Sequence, residues 1–356
     1  EIPMGLSAAA ENRWAFTTKE PIGIVAAISA FNHPLNLIVH QVAPAIAVGC
    51  PVIVKPAATT PLSCIDFVAL VREAGLPEPW CQTFITQDNA LAESLATDSR
   101  IAFLSFIGSS RVGWSLHSKL APGTRSALEH GGAAPAIVDR SADLGRVIEP
   151  IVKGGYYHAG QVCVSTQRIF VHADIADDFT QRLVARVQKL HTADPALGDT
   201  EVGPLILPRE ADRVERWIAE ALEGGATLAT GGKRLSGTTL APTVLLDPAA
   251  DARVSVLEVF GPMVAVYRYT ELDAAIGQAN ALPTAFQASV FAQDIDVALR
   301  AAHRLDASAV MINDPTAFRT DWMPFAGRRE SGYGTGGIPY TMRDMTQEKM
   351  ILMRRS

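Results

Sequence analysis

The stretch Ile22–Ser29, with the sequence IGIVAAIS, decides the fold. Three similar apolar runs follow it, namely PVIVK (51–55), IAFLSF (101–106) and PAIVD (135–139). Segments with helical patterns separate these runs: one from Leu35, one near 63–74 and one after Ser109. Short continuous apolar runs indicate strands buried on both faces, and the helices between them indicate crossover connections. The sequence therefore predicts an α/β protein with a parallel sheet.

The second half of the chain repeats this alternation with new segments. A helix through His158 is followed by the strand RIFVH (168–172) and by amphipathic helices near 177–190 and 210–222. Further strands are expected near Val264, Ala288 and Ala309. A chain of 356 residues is somewhat long for a single hydrophobic core. We therefore expect a second α/β domain.

Charge and hydropathy exclude two classes of partner. The 31 Lys and Arg residues are spread along a chain of net charge −6, so neither nucleic acid nor an anionic membrane surface is expected to bind. The most apolar stretch, 22–54, contains polar side chains that would be costly in lipid. These are Asn32, His33, Asn36, His40 and Gln41. No membrane-spanning segment is predicted.

The four cysteines, at 50, 64, 81 and 163, lie among apolar or small residues without C-x-x-C spacing. We therefore expect neither a disulfide framework nor a metal site, and we expect a cytoplasmic location. The sequence starts at Glu1 without a charged and then apolar leader. We expect that an N-terminal part of the protein precedes it.

Cys163 in GQVCVSTQR is the candidate nucleophile, although a cysteine taken alone is more often a small buried apolar residue. Its interpretation depends on two polar residues upstream. Asn32 in SAFNHP follows an apolar strand, where sites of parallel sheets tend to form, and Glu129 in ALEHGG precedes a pair of glycines.

These segments, together with LEVFGP (257–262) and PFAGRRESGYG (324–334), resemble the aldehyde dehydrogenase superfamily over essentially the whole chain. The 34-residue step from Glu129 to Cys163 also matches the family. The resemblance implies a Rossmann-type cofactor-binding domain at 21–131 and an α/β catalytic domain at 132–337. It further implies oligomerisation strands at 1–20 and 338–356, and hence a homodimer or homotetramer.

The resemblance assigns a role to each of the three residues. The Cys163 thiolate attacks the aldehyde carbon, and the Asn32 amide and the Cys163 backbone N–H stabilise the oxyanion. Hydride then passes to a nicotinamide cofactor and leaves a thioester. Water activated by Glu129 as general base releases the carboxylic acid.

Cofactor contacts are likewise implied by the resemblance. In FIGSSRVG (106–113), Gly108, Ser109 and Val112 lie at a strand-to-helix turn suited to a pyrophosphate. Lys55 reaches the adenosine ribose, and Glu258, with Phe260 beside it, holds the nicotinamide ribose.

The preference between NAD and NADP stays open. Many NAD-preferring members carry a Glu at the third position after the Lys that corresponds to Lys55, whereas this sequence has Ala58. Selection against a 2′-phosphate is therefore weakened, and Thr59 or Lys55 are candidate contacts for that phosphate.

On the substrate side, His33, Val162 and Phe325 are expected to line the pocket for a small aldehyde. The segments FNHP and GIPYTMRDMTQEKM (337–350) favour the branch that contains lactaldehyde and phosphonoacetaldehyde dehydrogenases. Phosphonate-oxidising members carry an Arg directly before the nucleophile, where this chain has Val162. Arg319 is a candidate anion contact, but we expect a solvated side chain there.

Two alternatives keep the same fold. An acylating enzyme would transfer the thioester to coenzyme A, but such enzymes generally lack the general base that Glu129 provides. A catalytically silent structural relative would not need Asn32, Glu129 and Cys163 together.

Overall fold

The computed structural model describes residues 1–355 and divides the chain into two compact units. The first unit contains residues 1–128, 321–324 and the segment from 334 onward. The second contains residues 129–320 and 325–333. The chain thus passes from the first unit to the second at Leu128–Glu129, a few residues before the predicted limit at residue 131.

The structural elements are named in chain order. The first ten are β1 (Arg13–Pro21), β2 (Ile24–Ile28), α1 (Asn36–Ala47), β3 (Val52–Lys55), α2 (Leu62–Glu73), β4 (Cys81–Thr83), α3 (Asn89–Thr97), β5 (Ile101–Ile107), α4 (Ser110–His117) and β6 (Arg125–Glu129). The next ten are β7 (Ala134–Val138), α5 (Leu144–Tyr156), β8 (Thr166–His172), α6 (Ala176–Val187), α7 (Pro208–Glu223), β9 (Thr227–Thr230), β10 (Thr243–Leu246), α8 (Arg253–Val256), β11 (Met263–Tyr269) and α9 (Leu272–Ala279). The last are β12 (Thr284–Ala285), β13 (Gln287–Phe291), α10 (Ile295–Arg304), β14 (Ala309–Ile312), β15 (Arg328–Arg329), β16 (Gly332–Tyr333), α11 (Ile338–Asp344) and β17 (Thr346–Arg354). Short 3-10 turns cover Ala8–Ala10, Glu78–Trp80, Tyr157–Gly160 and Ala173–Ile175.

The first unit contains a sheet with strand order β6-β5-β2-β3-β4, in which β2 pairs in parallel with both β3 and β5. Val25, Val52 and Val54 are completely buried in this sheet. Ile38 of α1 packs in the same core. The run IGIVAAIS (22–29) therefore contains a central strand, as its composition predicts.

The two terminal strand-like pieces pair with each other. Strand β1 runs antiparallel to β17, in a register that joins Arg13 to Arg354 and Pro21 to Thr346. All residues of β17 after Thr346 are exposed. The ribbon therefore presents apolar side chains to solvent, namely Met350, Ile351, Leu352 and Met353.

The second unit contains a seven-stranded sheet with strand order β14-β13-β7-β8-β11-β10-β9. Its pairs are parallel except for β9, which is antiparallel to β10. Ile151, Phe179 and Val214, from helices α5, α6 and α7, are completely buried in its core. The predicted second α/β region is confirmed.

The apolar alternation alone groups the run PAIVD with the first sheet, which is wrong, whereas the domain limit at residue 131 implied by the family resemblance assigns it to the second domain. The run forms β7, which lies between β13 and β8 in the second sheet. The cause is the turn after Glu129, where Ser331 accepts a hydrogen bond from the His130 N–H at 2.9 Å and donates one to the Gly131 carbonyl at 2.8 Å. This turn directs the following strand into the second unit.

No helix within residues 1–355 combines the length and the apolar character needed to cross a membrane.

Candidate active site

Cys163 lies in a short loop between α5 and β8 whose backbone has an unusual conformation. His158, Ala159 and Gly160 have φ values of 51°, 55° and 71°, in the left-handed region that favours glycine. A Cβ atom at Gly160 would overlap the carbonyl oxygen of Gly261, so this position requires glycine. The first residue of the pattern G-Q-x-C is thus a glycine that gives the backbone a conformation and a close contact that other residues would not allow.

Gln161 fastens the same loop through its buried amide. Its Nε2 donates to the Pro204 carbonyl at 3.3 Å, and its Oε1 accepts from the Ile206 N–H at 3.0 Å. The side chain therefore satisfies one donor and one acceptor of a neighbouring segment. The chain that leads to Cys163, two residues later, is therefore held at Gly160 and Gln161.

The pocket wall around Cys163 is apolar. The half-buried thiol packs on a cluster of four buried residues, Val162, Val164, Phe286 and Phe325. The rings of Phe286 and Phe325 have centroids 4.6 Å apart. Val162 and Phe325 thus belong to the cluster on which Cys163 packs.

Glu129 is the last residue of β6 and is a buried carboxylate with an unusual environment. Its Oε1 is inaccessible to solvent, and no donor among residues 1–355 bonds to it. Burial raises the pKa of Glu129 to about 7, while the positive charge of Arg319 opposes this shift. A carboxyl group with a pKa near neutrality suits a general base.

The backbone on both sides of Glu258 is held by the side chain of Gln167, in the loop between α8 and β11. The Gln167 Nε2 donates to the carbonyls of Val254 and Leu257 at 2.8 and 2.7 Å, and its Oε1 accepts from the Val259 N–H at 2.9 Å. The residues on either side of Glu258 are therefore restrained. Burial raises the pKa of Glu258 to about 8, and the Gly132 backbone N–H opposes this shift.

Phe260 follows Glu258 with a φ of 48°, a strained conformation for an aromatic residue. Its loop is also held by Arg213, whose guanidinium donates to the Val259 carbonyl at 2.8 Å. The predicted contact residues Glu258 and Phe260 thus share one restrained turn.

The carboxyl groups of Glu129 and Glu258 both act electrostatically on the thiol of Cys163. Burial raises its pKa well above the ordinary value, and the charges of Glu129 and Glu258 raise it further. Arg319 and the backbone N–H of Cys163 itself lower it. The thiol is therefore protonated at neutral pH, and it needs a base to become a nucleophile.

The expectation that Arg319 is solvated is wrong. Its guanidinium carbon lies 3.8 Å from the centroid of the Phe325 ring, and the residue is only partly exposed. Its charge acts on both Cys163 and Glu129. A charged side chain is normally expected in water, and only the packing of the loop before Phe325 reveals this position.

The remaining predicted residues belong to the first unit. Asn32 and His33 are half-buried in the loop between β2 and α1. Lys55 ends β3, and burial lowers the pKa of its ammonium group. The backbone carbonyl of Lys55 accepts a hydrogen bond from the Ser29 N–H at 3.0 Å.

Gly108, Ser109 and Val112 lie at the turn from β5 to α4. Ser109 is the exposed N-cap residue of α4, and Val112 is exposed on its first turn. A Cβ atom at Gly108 would lie 2.8 Å from the Phe106 ring, so a larger residue would not fit at this turn without a shift of that ring. Backbone N–H groups and the helix dipole at such a terminus favour a phosphate.

The residues present fit a dinucleotide cofactor. In the second unit, Oε1 of Glu258 is buried without a donor among residues 1–355, as expected for a carboxylate whose partner is a ribose hydroxyl. A Cβ atom at Gly131 would overlap this carboxylate, so glycine leaves room for it. In the first unit, the α4 terminus suits the pyrophosphate.

Comparisons with known proteins agree with this geometry. The chain matches the Aldehyde dehydrogenase family over residues 3–351. It is 38% identical to a 3-sulfolactaldehyde dehydrogenase of Priestia aryabhattai over 353 residues, which are 99% of this chain and 73% of that protein. It is 35% identical to a lactaldehyde dehydrogenase of Methanocaldococcus jannaschii over 349 residues, 97% of this chain and 74% of that protein.

A solved structure shows the same fold. Aldehyde dehydrogenase 21 from Physcomitrella patens, in complex with the reaction product succinate, superposes with a TM-score of 0.96 at 36% identity and covers 99% of this chain and 73% of that one. Related structures contain NADP or NAD+. The predicted cofactor class and the predicted fold are confirmed, and the chain belongs to the aldehyde dehydrogenase family of NAD(P)-dependent oxidoreductases.

Proposed function

We propose that the protein oxidises a small aldehyde to its carboxylic acid with NAD or NADP, with Cys163 as the nucleophile and Glu129 as the general base. The observation that carries this proposal is the cluster of Cys163, Glu129 and Glu258. A protonated thiol and a carboxyl group that titrates near neutrality lie within each other's electrostatic reach. The family membership supports the same reaction.

The first step is activation and attack. The Glu129 carboxylate accepts the thiol proton, and the Cys163 sulfur forms a bond to the aldehyde carbon. The carbonyl π electrons move to the oxygen. The Cys163 backbone N–H, which lowers the pKa of its own thiol, is one donor for that oxyanion. We assign the second donor to the Asn32 amide from the family pattern.

The second step is oxidation. A bound NAD or NADP would supply the oxidant for this step, since its nicotinamide would take a hydride, that is, two electrons and one proton, from the aldehyde carbon. The carbonyl double bond reforms as the hydride leaves, so Cys163 then carries a thioester. We assign Glu258, whose neighbours Leu257 and Val259 are held by Gln167, to the ribose that orients the ring. Lys55, Gly108, Ser109, Val112 and Phe260 are assigned to the rest of the cofactor.

The third step is hydrolysis. Glu129, after releasing its proton to solvent, accepts a proton from a water molecule whose oxygen attacks the thioester carbon. The carbon–sulfur bond breaks, the sulfur recovers a proton, and the carboxylic acid is released. The buried Oε1 of Glu129, which has no donor among residues 1–355, is a suitable acceptor for this water.

The choice of acyl acceptor is tested by following NAD and NADP reduction with a panel of aldehydes, with and without coenzyme A. We expect turnover without coenzyme A and a free carboxylic acid as product, because Glu129 provides the base that hydrolysis needs. Strict dependence on coenzyme A would contradict this. The absence of turnover with every aldehyde would favour a structural relative.

The turn that follows β3 contains a residue that bears on the preference between NAD and NADP. Ala58 lies in the turn that follows Lys55 and is half-buried. In the Ala58→Glu variant, a carboxylate would repel a ribose 2′-phosphate, and we expect kcat/KM with NADP to fall about 10- to 100-fold relative to NAD. Ala57→Glu, one residue earlier, is the matched control. An unchanged cofactor ratio in Ala58→Glu would remove Ala58 from the ribose site.

The names of the relatives do not decide whether the substrate of this protein carries a charge. One relative is named for 3-sulfolactaldehyde, which carries a sulfonate, and another for lactaldehyde, which is neutral. We propose a small aldehyde with His33, Val162 and Phe325 in the pocket wall. Val162 is apolar and buried, so it offers no charge to an anion.

We further propose a homodimer or homotetramer in the cytoplasm. The support for an oligomer is the β1–β17 ribbon, whose exposed apolar side chains continue over four residues, Met350–Met353. An exposed apolar edge of this kind is normally covered by another chain. The four free cysteines support a reducing compartment.

A further inference from the structure

We infer that the hydroxyl groups of Thr166 and Thr316 orient and polarise the backbone N–H of Cys163, which is the oxyanion donor in the proposed reaction. They do so through a chain of hydrogen bonds that runs from the two hydroxyls into the turn that contains the nucleophile. Both threonines are positioning residues, because they act through the backbone of that turn. This inference rests on the proposed function and adds to it the residues that prepare its oxyanion donor.

Cys163 is the second residue of a tight turn in the second unit. The Ser165 N–H donates to the Val162 carbonyl at 2.9 Å, and this bond closes the turn. The Val162 carbonyl and the Cys163 N–H belong to one planar peptide group, so a bond that holds the carbonyl also orients the N–H. No backbone carbonyl among residues 1–355 accepts the Cys163 N–H, which leaves this group for a substrate oxygen.

The end of this turn receives a hydrogen bond from a side chain. The Thr316 hydroxyl donates to the Val164 carbonyl at 2.6 Å, and its oxygen lies 2.7 Å from the Thr166 hydroxyl. A carbonyl only accepts, so the single proton of the Thr316 hydroxyl is used at Val164, and Thr166 is the donor of the second bond. The direction of both bonds is therefore fixed.

These hydrogen bonds form one chain with a single direction. The Val164 carbonyl and the Ser165 N–H belong to one peptide group, so the chain passes from the hydroxyls through two peptide groups and ends at the Cys163 N–H. A hydrogen bond accepted at a carbonyl polarises the N–H of the same peptide group, and bonds in such a chain strengthen one another. Each hydroxyl therefore makes the last N–H a better donor.

Water is excluded from this chain because both hydroxyls are buried. Thr316 is completely buried, and Thr166 is 1% exposed. Helix α5 packs against them, since a Cβ atom at Gly154 would overlap the Thr166 hydroxyl, and the Gly154 carbonyl accepts from the Ser165 hydroxyl at 3.2 Å. The loss of one hydroxyl would therefore leave a buried partner without its hydrogen bond.

A second effect of Thr316 must be separated from this one. Its bond to Val164 also ties the segment of Arg319 to the nucleophile, and a shift of that arginine would change the reactivity of the thiol. Attack of the thiol on iodoacetamide forms a carbon–sulfur bond and releases iodide without an oxyanion. Attack on p-nitrophenyl acetate forms an oxyanion, which then expels p-nitrophenolate and leaves an acetyl thioester. The ratio of the two rate constants therefore reports the oxyanion donor.

The experiment measures both rate constants at Cys163 without cofactor, acylation from the burst of p-nitrophenolate and alkylation by mass spectrometry of the Cys163 peptide. We expect Thr316→Val to slow acylation about 10-fold, because the N–H stays in place but loses its alignment, whereas loss of an oxyanion donor costs about 10²- to 10³-fold. Alkylation should stay close to the wild-type rate. Thr316→Ser keeps the hydroxyl and should keep the wild-type ratio.

Thr243→Val is the matched control. Thr243 is another threonine of the second unit that is 1% exposed, and its hydroxyl donates to the Ala241 carbonyl at 2.8 Å, outside the nucleophile turn. This variant loses a comparable buried bond and should keep the wild-type ratio. Thr166→Val breaks the chain one bond earlier and leaves the bond from Thr316 to Val164 in place. We expect it to lower the ratio by a smaller factor, about 3-fold.

If Thr316→Val does not fold, the ratio in Thr166→Val decides. An unchanged ratio, an equal fall of both rate constants, or a fall that Thr316→Ser shares would overturn the inference, while oxidation of aldehydes by wild type would leave the proposed function intact. A lowered ratio in both valine variants, together with no oxidation of any aldehyde by wild type with NAD or NADP, would support the role of the two hydroxyls and contradict the proposed function.

Discussion

Replacement of Cys163 by Ala is expected to reduce aldehyde-dependent NAD(P) reduction by on the order of 10⁴-fold or more, because no other group supplies the sulfur that forms the covalent adduct. The fold should be retained, since the thiol is half-buried at a pocket wall and its loop is held by Gln161 and Gly160. Steady-state rates and thermal unfolding of the same preparation measure the two effects separately.

Cys64→Ala is the control for this variant. Cys64 is a buried residue of α2, and burial raises the pKa of its thiol as well, so its chemistry resembles that of Cys163 without the two carboxylates. We expect this variant to keep its activity. An active Cys163→Ala protein would exclude the proposed mechanism, whereas an inactive Cys64→Ala protein with intact folding would move the nucleophile to the first unit.

Glu129→Gln is expected to slow both oxidation and hydrolysis. Without the carboxylate, neither the thiol proton nor the proton of the attacking water has its acceptor, so we expect no burst of NAD(P)H in the first turnover and a steady-state rate that falls about 10²- to 10⁴-fold. Rapid-mixing absorbance at the reduced-nicotinamide band measures both phases. Glu223→Gln, at the exposed end of α7, should behave like wild type. A wild-type steady-state rate in Glu129→Gln would contradict the role of the base.

The pH dependence of hydrolysis follows from the raised pKa of Glu129. Burial favours the protonated carboxyl group, so its pKa is about 7 and the basic form is present above that pH and lost below it. We expect the wild-type hydrolysis rate to rise with pH, to reach half of its maximum near pH 7, and to level off above. Single-turnover measurements of thioester decay from pH 5.5 to 9 test this. A midpoint near the ordinary value for Glu would show that the carboxylate is solvated during hydrolysis.

Much of the fold was predictable because short, continuous apolar runs are stable in water only where they are buried. Runs such as 22–29 and 101–106 must be buried on both faces, which defines them as strands of a parallel sheet. The apolar pattern alone did not predict the sheet to which PAIVD belongs, because its composition resembles that of the other runs, and only the domain limit implied by the family resemblance separated it from them. That choice depends on Ser331, which lies 200 positions beyond Gly131 and holds the turn before β7.

The sequence predicted the residue types of the candidate site, but it did not predict their pKa values or the charges around them. Cys163, Glu129 and Glu258 stand in recognisable segments, and the structure brings these three together in one unit. Arg319 stood in a recognisable segment too, yet its position differed from the expectation. Nothing in the local sequence indicates that Asn313 and Thr316 fasten the loop that places its guanidinium on Phe325.

The sequence by itself determined which chemical groups are available, namely a thiol, two carboxylates and a strand-to-helix turn for a phosphate. The apolar run at 22–29 also determined the class of fold, because a buried backbone must pair its hydrogen-bonding groups within a sheet. The tertiary structure alone decided the protonation of these groups and the position of Arg319. Both depend on desolvation and on nearby charges, and these arise only when segments far apart in the chain pack around the same atoms.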